Sequence, residues 1–222
     1  TFPLYQSGVG SVMSDNICFP AKLVHGHILS LMEQRVDRLF YPIIPKEEKD
    51  FDGSSNSYNC PVVSGYPDVI RSAMEPEAKH GIPLDKPVIT FNDLKVLERG
   101  CHAYLSSLGA GITLFKKAFK NALEEHHHYK QRIYNHQKEL LDEAVKNKKP
   151  VFIVAGRPYH TDPLIHQKVG QILSDLGAIV FTDDVFRKEE SHGFGKLNIV
   201  SQWSYPNRCP LYSSDAADGF PI

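Results

Sequence analysis

An excess of charge of either sign is the first thing this chain lacks: 25 lysines and arginines stand against 26 aspartates and glutamates, a formal net charge of −1 over 222 residues. Such a balance offers neither the basic surface that nucleic acid requires nor a polybasic patch for an anionic membrane. No apolar run approaches the roughly 20 residues needed to cross a bilayer, and no charged-then-apolar leader opens the chain, so a soluble, cytoplasmic protein is expected. Cysteine is scarce as well. Cys18, Cys60, Cys101 and Cys209 lie far apart with no paired spacing, unlike a secreted disulfide scaffold or a compact zinc module. The three spaced glycines of a dinucleotide fingerprint are missing, and no repeat of solenoid length recurs.

Two of the scarce cysteines nevertheless occupy matched settings. Cys18 stands in Ser14-Asp15-Asn16-Ile17-Cys18-Phe19-Pro20-Ala21-Lys22-Leu23-Val24-His25-Gly26-His27. Pro20 suits the first turn of a helix, where its missing N–H costs nothing, and Ser14 to Asn16 supply capping side chains upstream. Cys18 is thus expected near the positive end of a helix dipole, which favours the anionic sulfur that metals need. Cys60 recurs in Tyr58-Asn59-Cys60-Pro61, after a polar loop and before another helical stretch. A buried free cysteine is often a small hydrophobe and nothing more. Two loop cysteines, each followed closely by proline, point instead to a site.

Apolar positions at Val24, Ile28 and Leu31, widened by Leu23 and Met32, predict a helix over 20–35, and Val36 to Pro42 reads as a short strand ended by proline. From Ile44 to Asn59 the polar, glycine- and serine-bearing composition predicts a long surface loop that delivers Cys60. Pro61 to Met74 reads as a strand end and a short helix about Pro67 to Arg71, and Pro87 to Phe91 as a strand. Asn92 or Asp93 is positioned to cap a helix from Leu94 to Leu108, stopped at Gly109. Ile112 to Lys149 predicts one long helix or two in series, with Leu114, Ala118, Leu123, Ile133, Leu140, Leu141 and Val145 as candidate buried positions. Val151 to Ala155 is a near-continuous apolar run, as in a parallel strand covered on both faces, and a helix from Pro163 to Leu176 leads to a second strand, Ala178 to Thr182. The resulting plan is α/β: two Rossmann-like lobes with parallel sheets joined by long helices. Its boundaries are 1–92 for a first lobe holding Cys18 and Cys60, 93–149 for a helical connector, and 150–222 for a second, shortened lobe.

Ligands of open parallel sheets collect beyond the carboxyl ends of the strands. Gly156, Arg157, Tyr159 and His160 fall at such a position, and Asp183 and Asp184 follow the next strand. Arg157 could hold a phosphate or carboxylate in a fork, and His160 could exchange a proton near neutral pH. Arginine and tyrosine equally often tie a loop down. Lys22, close to Cys18, could bind an anionic group or simply be solvated. His25 and His27 diverge on a helix and cannot share one metal, although one could approach Cys18. His126-His127-His128 fans around a helix as a solvated face.

The Ser14 to His27 stretch, Tyr58-Asn59-Cys60-Pro61, Gly156-Arg157-Pro158-Tyr159-His160 and Ser201-Gln202-Trp203-Ser204-Tyr205 resemble the acyl-CoA dehydratase activase-related proteins. In these anaerobic bacterial proteins an activator of the 2-hydroxyglutaryl-CoA dehydratase type is fused to dehydratase-like segments. The likeness runs from about Ser14 to Arg208. It implies Rossmann-like lobes holding an iron–sulfur cluster, 4Fe–4S or double cubane, through three cysteines at strand and helix ends. Cys18 and Cys60 match the first two ligands, and thiolates suit such clusters. The third ligand of the family sits in a Gly-Cys-Gly turn that this sequence lacks, and Cys209 is the doubtful substitute; Cys101, inside a predicted helix, reads as packed. Lys22, Arg157, Tyr159, His160 and Asp183 would line the ligand cleft.

The resemblance therefore implies low-potential electron transfer for dehydration or reduction of an acyl-CoA-type substrate. Its partners would be an ATP-dependent activator domain or other segments of a longer fusion protein, an acyl-CoA ligand, and a second copy in a homodimer; no nucleic acid and no membrane are expected. The activator's ATP-binding segments are not recognisable, so the isolated chain is expected to be inactive. Two other readings stay open: a binding or assembly module without metal, and a zinc protein using Cys18, Cys60 and a histidine.

Overall fold

The computed structural model describes residues 2–48, 57–154, 159, 162, 163 and 165–182. The chain divides into two compact units, Thr1–Glu48 with Tyr58–Ala110, and Lys49–Ser57 with Gly111–Ile222. Helices and short parallel strands alternate in both.

In the first unit, α1 (Phe2–Gly8) and a 3₁₀ turn (Val9–Ser11) precede α2 (Phe19–Glu33). Cys18 is the N-cap of α2, in an extended conformation, and Pro20 lies in the first turn as the sequence requires. The buried face runs through Ala21, His25, Ile28 and Met32, a helical i, i+4, i+7, i+11 stripe. It is rotated from the apolar stripe expected, since Leu31 is 38% exposed while His25 is 1% exposed. Where α1 meets α2 the backbones touch. A Cβ on Gly8 would overlap the Gly26 backbone, and one on Gly26 would overlap the Leu4 carbonyl.

β1 (Leu39–Phe40) pairs in parallel with β2 (Leu84–Asp85), with Leu39 opposite Leu84. The ladder continues past these strands: the N–H groups of Leu39, Tyr41 and Ile43 donate to the carbonyls of Pro83, Asp85 and Pro87 at 2.9, 2.8 and 2.9 Å, and Ile89 donates back to Ile43 at 2.9 Å. Pro83 and Pro87 can accept but not donate, which thins the ladder and explains why the pairing is centred on Leu84 and Asp85 rather than on the Pro87 to Phe91 run. Asp85 also ties β1 and the later helix together. Arg38 contacts both its carboxylate oxygens at 2.7 Å, and the Tyr104 hydroxyl donates to Oδ2 at 2.8 Å.

Pro61–Met74 is one continuous helix, α3, with Pro67 inside it, so the expected strand end is absent from this segment. An internal proline normally breaks a helix, but burial of Tyr66, Pro67, Ile70 and Met74 on one face outweighs the lost backbone bond. Glu75, in the left-handed region at φ 50°, turns the chain into α4 (Pro76–His80), which leads to β2. α5 (Leu94–Ser107) is capped by Asp93, whose side chain accepts from the N–H groups of Lys95 and Val96 at 2.8 and 3.0 Å. Gly109, at φ 90°, ends it. One cluster of Ala21, Ile28, Met32, Leu39, Tyr66, Ile70, Met74, Ile82 and Leu84 forms the core of this unit.

The second unit opens with α6 (Ile112–Lys146), a single helix of 35 residues. Phe115 and Ala144 are its buried residues, whereas Leu114 and Val145 are exposed, so the apolar face lies one position away from the one expected at each end. β3 (Val151–Val154) and β4 (Ile179–Thr182) pair in parallel, Val151 opposite Ile179 through Val154 opposite Thr182. The helix between them, α7 (Val169–Asp175), is shorter than the Pro163 to Leu176 span suggests, because Gln167 and Lys168 take left-handed conformations just before it. Gln137 of α6 donates to the Thr182 hydroxyl at 3.0 Å. Val151 and Phe152 are exposed among the described residues, in contrast to a strand covered on both faces.

The α1–α2 contact yields a sign that separates packing from propensity. Alanine in place of a helical glycine ordinarily stabilises by about 1 kcal/mol. Gly26→Ala should instead destabilise the first unit by about 1–3 kcal/mol, because the added methyl meets backbone rather than a movable side chain. Urea unfolding of the two proteins measures it; equal or higher stability of the variant would contradict the close approach.

Candidate functional site

Cys18 and Cys60 are the N-caps of α2 and α3, both half-buried, and neither sulfur makes a capping hydrogen bond. Their carbonyls start the helices: Cys18 accepts from the N–H groups of Ala21 and Lys22 at 3.1 and 3.3 Å, and Cys60 from those of Val63 and Ser64 at 2.8 and 3.1 Å. These are the ordinary first bonds of each helix, and neither thiol takes part in them.

α2 precedes β1, α3 and α4 precede β2, and the two strands lie side by side in parallel. Met32 and Met74, near the helix ends, share one core cluster with Leu39 and Leu84. Helices that precede parallel strands return against them, which directs their starts, and with them both N-caps, toward the carboxyl edge of the strand pair. Direct contacts place Cys60 there. The Asn59 N–H donates to Pro45 O at 3.0 Å, and its side-chain amide donates to Ile44 O at 3.0 Å and to Glu47 at 2.9 Å. Lys46 Nζ lies 4.6 Å from the centre of the Tyr58 ring, a cation–π contact that holds the same loop. Cys18 is linked to α3 electrostatically: burial, and then the nearby Cys18 sulfur, push the Tyr66 hydroxyl above its ordinary value.

Between the helices lies a polar chain that sequence reasoning missed. His25 bonds Ser11 Oγ through Nδ1 at 2.8 Å and the Tyr66 hydroxyl through Nε2 at 3.0 Å. Ser11 commits its single hydroxyl proton to Gly8 O at 2.9 Å. Counting protons then assigns the tautomer: Nδ1–H donates to Ser11, and Nε2 accepts from Tyr66. Burial lowers the His25 pKa, in keeping with this neutral ring. Tyr41, also facing Tyr66, is pushed up to about 12 by burial first and by Tyr66 second. The available signal was the register of His25 and Tyr66, each in step with the buried isoleucine and methionine of its own helix. A polar side chain on a buried face needs a partner.

Of the remaining residues singled out in the sequence, Lys22 donates to Asp15 O at 2.8 Å beside the Cys18 cap. Tyr159 is half-buried and its carbonyl accepts from Asp162 N at 3.1 Å, in the second unit. Arg157, His160, Asp183, Asp184 and Cys209 lie outside the described residues. Cys101 is half-buried on α5, and burial raises its thiol. His27 and His126 to His128 are exposed. Among the described residues no group of three or more His, Cys, Asp or Glu side chains is arranged to hold a metal ion. The two thiols could furnish part of a soft-metal ligand set, to be completed from elsewhere.

A family model described as the CoA enzyme activase uncharacterised domain (DUF2229) matches residues 1–186. The chain belongs to that family. The match spans the first unit, with both cysteine caps, and extends through β4 of the second. No curated protein and no solved structure matches this activase-related domain significantly. No helix among the described residues is long and apolar enough to cross a membrane.

The His25 chain carries a pH dependence whose sign follows from linkage. The folded ring titrates below its ordinary value of 6.5. Its contribution is therefore complete above about pH 6.5 and is lost as the pH falls through the lowered folded value. The urea midpoint should drop between pH 7.5 and pH 5 more in the natural protein than in His25→Gln, which has no titrating ring. Parallel declines in the two proteins would contradict the assignment.

Proposed function

We propose that this activase-related domain contributes two thiolate ligands, Cys18 and Cys60, to an iron–sulfur centre of a 2-hydroxyacyl-CoA dehydratase type of system. The centre would relay low-potential electrons toward dehydration or reduction of an acyl-CoA-type substrate. The observation that carries this reading is the pair of cysteine N-caps on two helices that each precede a strand of one parallel pair, so that both helix starts face its carboxyl edge. Soft thiolates suit iron–sulfur clusters, and two positive helix ends offset the negative charge such a cluster carries. Family membership supports the CoA-enzyme setting, and a partner dehydratase or further segments of a fusion protein would supply the activator and the missing ligation. Cys209 remains a candidate for the third thiolate. Lys22 would face an anionic group from the α2 side, with Arg157, Tyr159, His160 and Asp183 proposed for the ligand cleft of a second Rossmann-like lobe.

Anaerobic reconstitution of the full chain with ferrous iron and sulfide tests the proposal. A brown protein with broad absorption near ~400 nm and matching iron and acid-labile sulfide is expected. Cys18→Ala and Cys60→Ala should each lower bound iron at least about tenfold, since a thiolate ligand is lost outright, while Cys101→Ala should leave it unchanged. A colourless, metal-free protein would favour a binding or assembly module, colourless protein with stoichiometric zinc would favour a zinc site, and colour retained in both alanine variants would overturn the ligand assignment.

A further inference from the structure

We propose that the buried hydrogen bond between His25 and Tyr66 is a positioning device for the cysteine pair: it fixes α2 and α3 at matched depth and thereby sets the separation of the Cys18 and Cys60 sulfurs. The inference rests on the reading of these two cysteines as one site, and it assigns that site its spacer.

His25 lies seven residues beyond Cys18 and Tyr66 six beyond Cys60, which at the rise of an α-helix is about 10 and 9 Å from the respective caps. The bond therefore joins points equally deep in the two helices and makes their starts level. The other buried residues that the two helices give to their common core cluster, Ala21, Ile28 and Met32 from α2 and Ile70 and Met74 from α3, are apolar and non-directional. Such ridges can settle in more than one groove. A hydrogen bond cannot follow them: sliding one helix by a single residue moves the hydroxyl by about 1.5 Å and takes a 3.0 Å bond outside bonding range. Ser11 holds the opposite ring nitrogen at 2.8 Å, so the imidazole cannot turn to follow a slipped partner. The rings meet edge to face, with centres 5.7 Å apart and planes at 80°. The Cys18 sulfur acts electrostatically on Tyr66, and Tyr66 in turn on Tyr41, so the spacer and one of the spaced sulfurs are neighbours in the core.

The test uses the full chain, reduced and free of metal, with Cys101→Ser and Cys209→Ser so that Cys18 and Cys60 are the only thiols. Dibromobimane, a short reagent that fluoresces after both arms alkylate, is added, and the joined peptide is identified by mass spectrometry. The parental chain should cross-link Cys18 to Cys60. Tyr66→Phe should cross-link about fivefold more slowly, the change expected from one buried hydrogen bond. His25→Gln, whose carboxamide oxygen can accept from Tyr66, should stay within about twofold of the parent. Ile70→Val trims the same interface without touching the bond, and its cross-linking should stay at the parental rate although its urea midpoint falls. Absence of the Cys18–Cys60 product in the parent, an unchanged rate in Tyr66→Phe, or an equal fall in Ile70→Val would each overturn the proposal. Because thiols are read without metal, failure of the cluster reading appears as missing colour with cross-linking intact. Failure of the spacer appears as an unchanged Tyr66→Phe rate, whether or not iron binds.

Discussion

The first unit depends on how a histidine is kept neutral inside an apolar helix interface. His25 sits where leucine would be cheapest, and its burial is tolerable because both ring nitrogens are bonded, one to the turn after α1 and one to α3. Three segments far apart in sequence are thereby tied at a single ring. The strand pair beneath them cannot take over that task. It is two strands wide among the described residues, interrupted by two prolines, and a two-stranded sheet is marginal without helices packed on it.

From that constraint the chemistry of the site follows in steps. Parallel strands oblige the preceding helices to return in a common direction, which gathers helix starts at one edge of the sheet. In this chain each gathered start carries a cysteine whose carbonyl accepts the first helical bonds while its sulfur makes no capping bond. Two thiols beside two positive helix ends are what the proposed anionic, sulfur-ligated centre would draw on. Membership of the activase-related family gives that proposal a CoA-enzyme context.

Much of this was legible in the residues. The Cys18 to Pro20 signal located the start of α2, the Asp93 cap the start of α5, and the two apolar runs around Ile153 and Ile179 the parallel pair of the second unit. What stayed hidden has physical causes. Counting hydrophobic residues selected Leu31 over His25, since a buried polar residue is favourable only once its partners are known, and those lie on other segments. Pro67 read as the start of a short helix after a strand end, yet it lies inside α3, whose buried face it shares with Tyr66 and Ile70. In the Phe2–Ser11 region Pro3 follows Phe2 as Pro20 follows Phe19, but a segment this short with two glycines does not announce a helix by periodicity, and the backbone contact between Gly8 and Gly26 that packs α1 joins it to another segment. Arg157, His160, Asp183 and Cys209 lie outside the described residues, so the site is drawn from the first unit.

The proposed site requires the two sulfurs to share one edge of the strand pair. Spin labels on Cys18 and Cys60, with the other two cysteines replaced by serine, report their separation directly by pulsed dipolar resonance. Neighbouring helices that start at the same edge predict a distribution centred below about 20 Å, the spacing of packed axes plus the labels. Helices of opposed sense would add most of the length of a 15-residue helix, about 22 Å, and a distribution centred beyond about 30 Å would contradict the account.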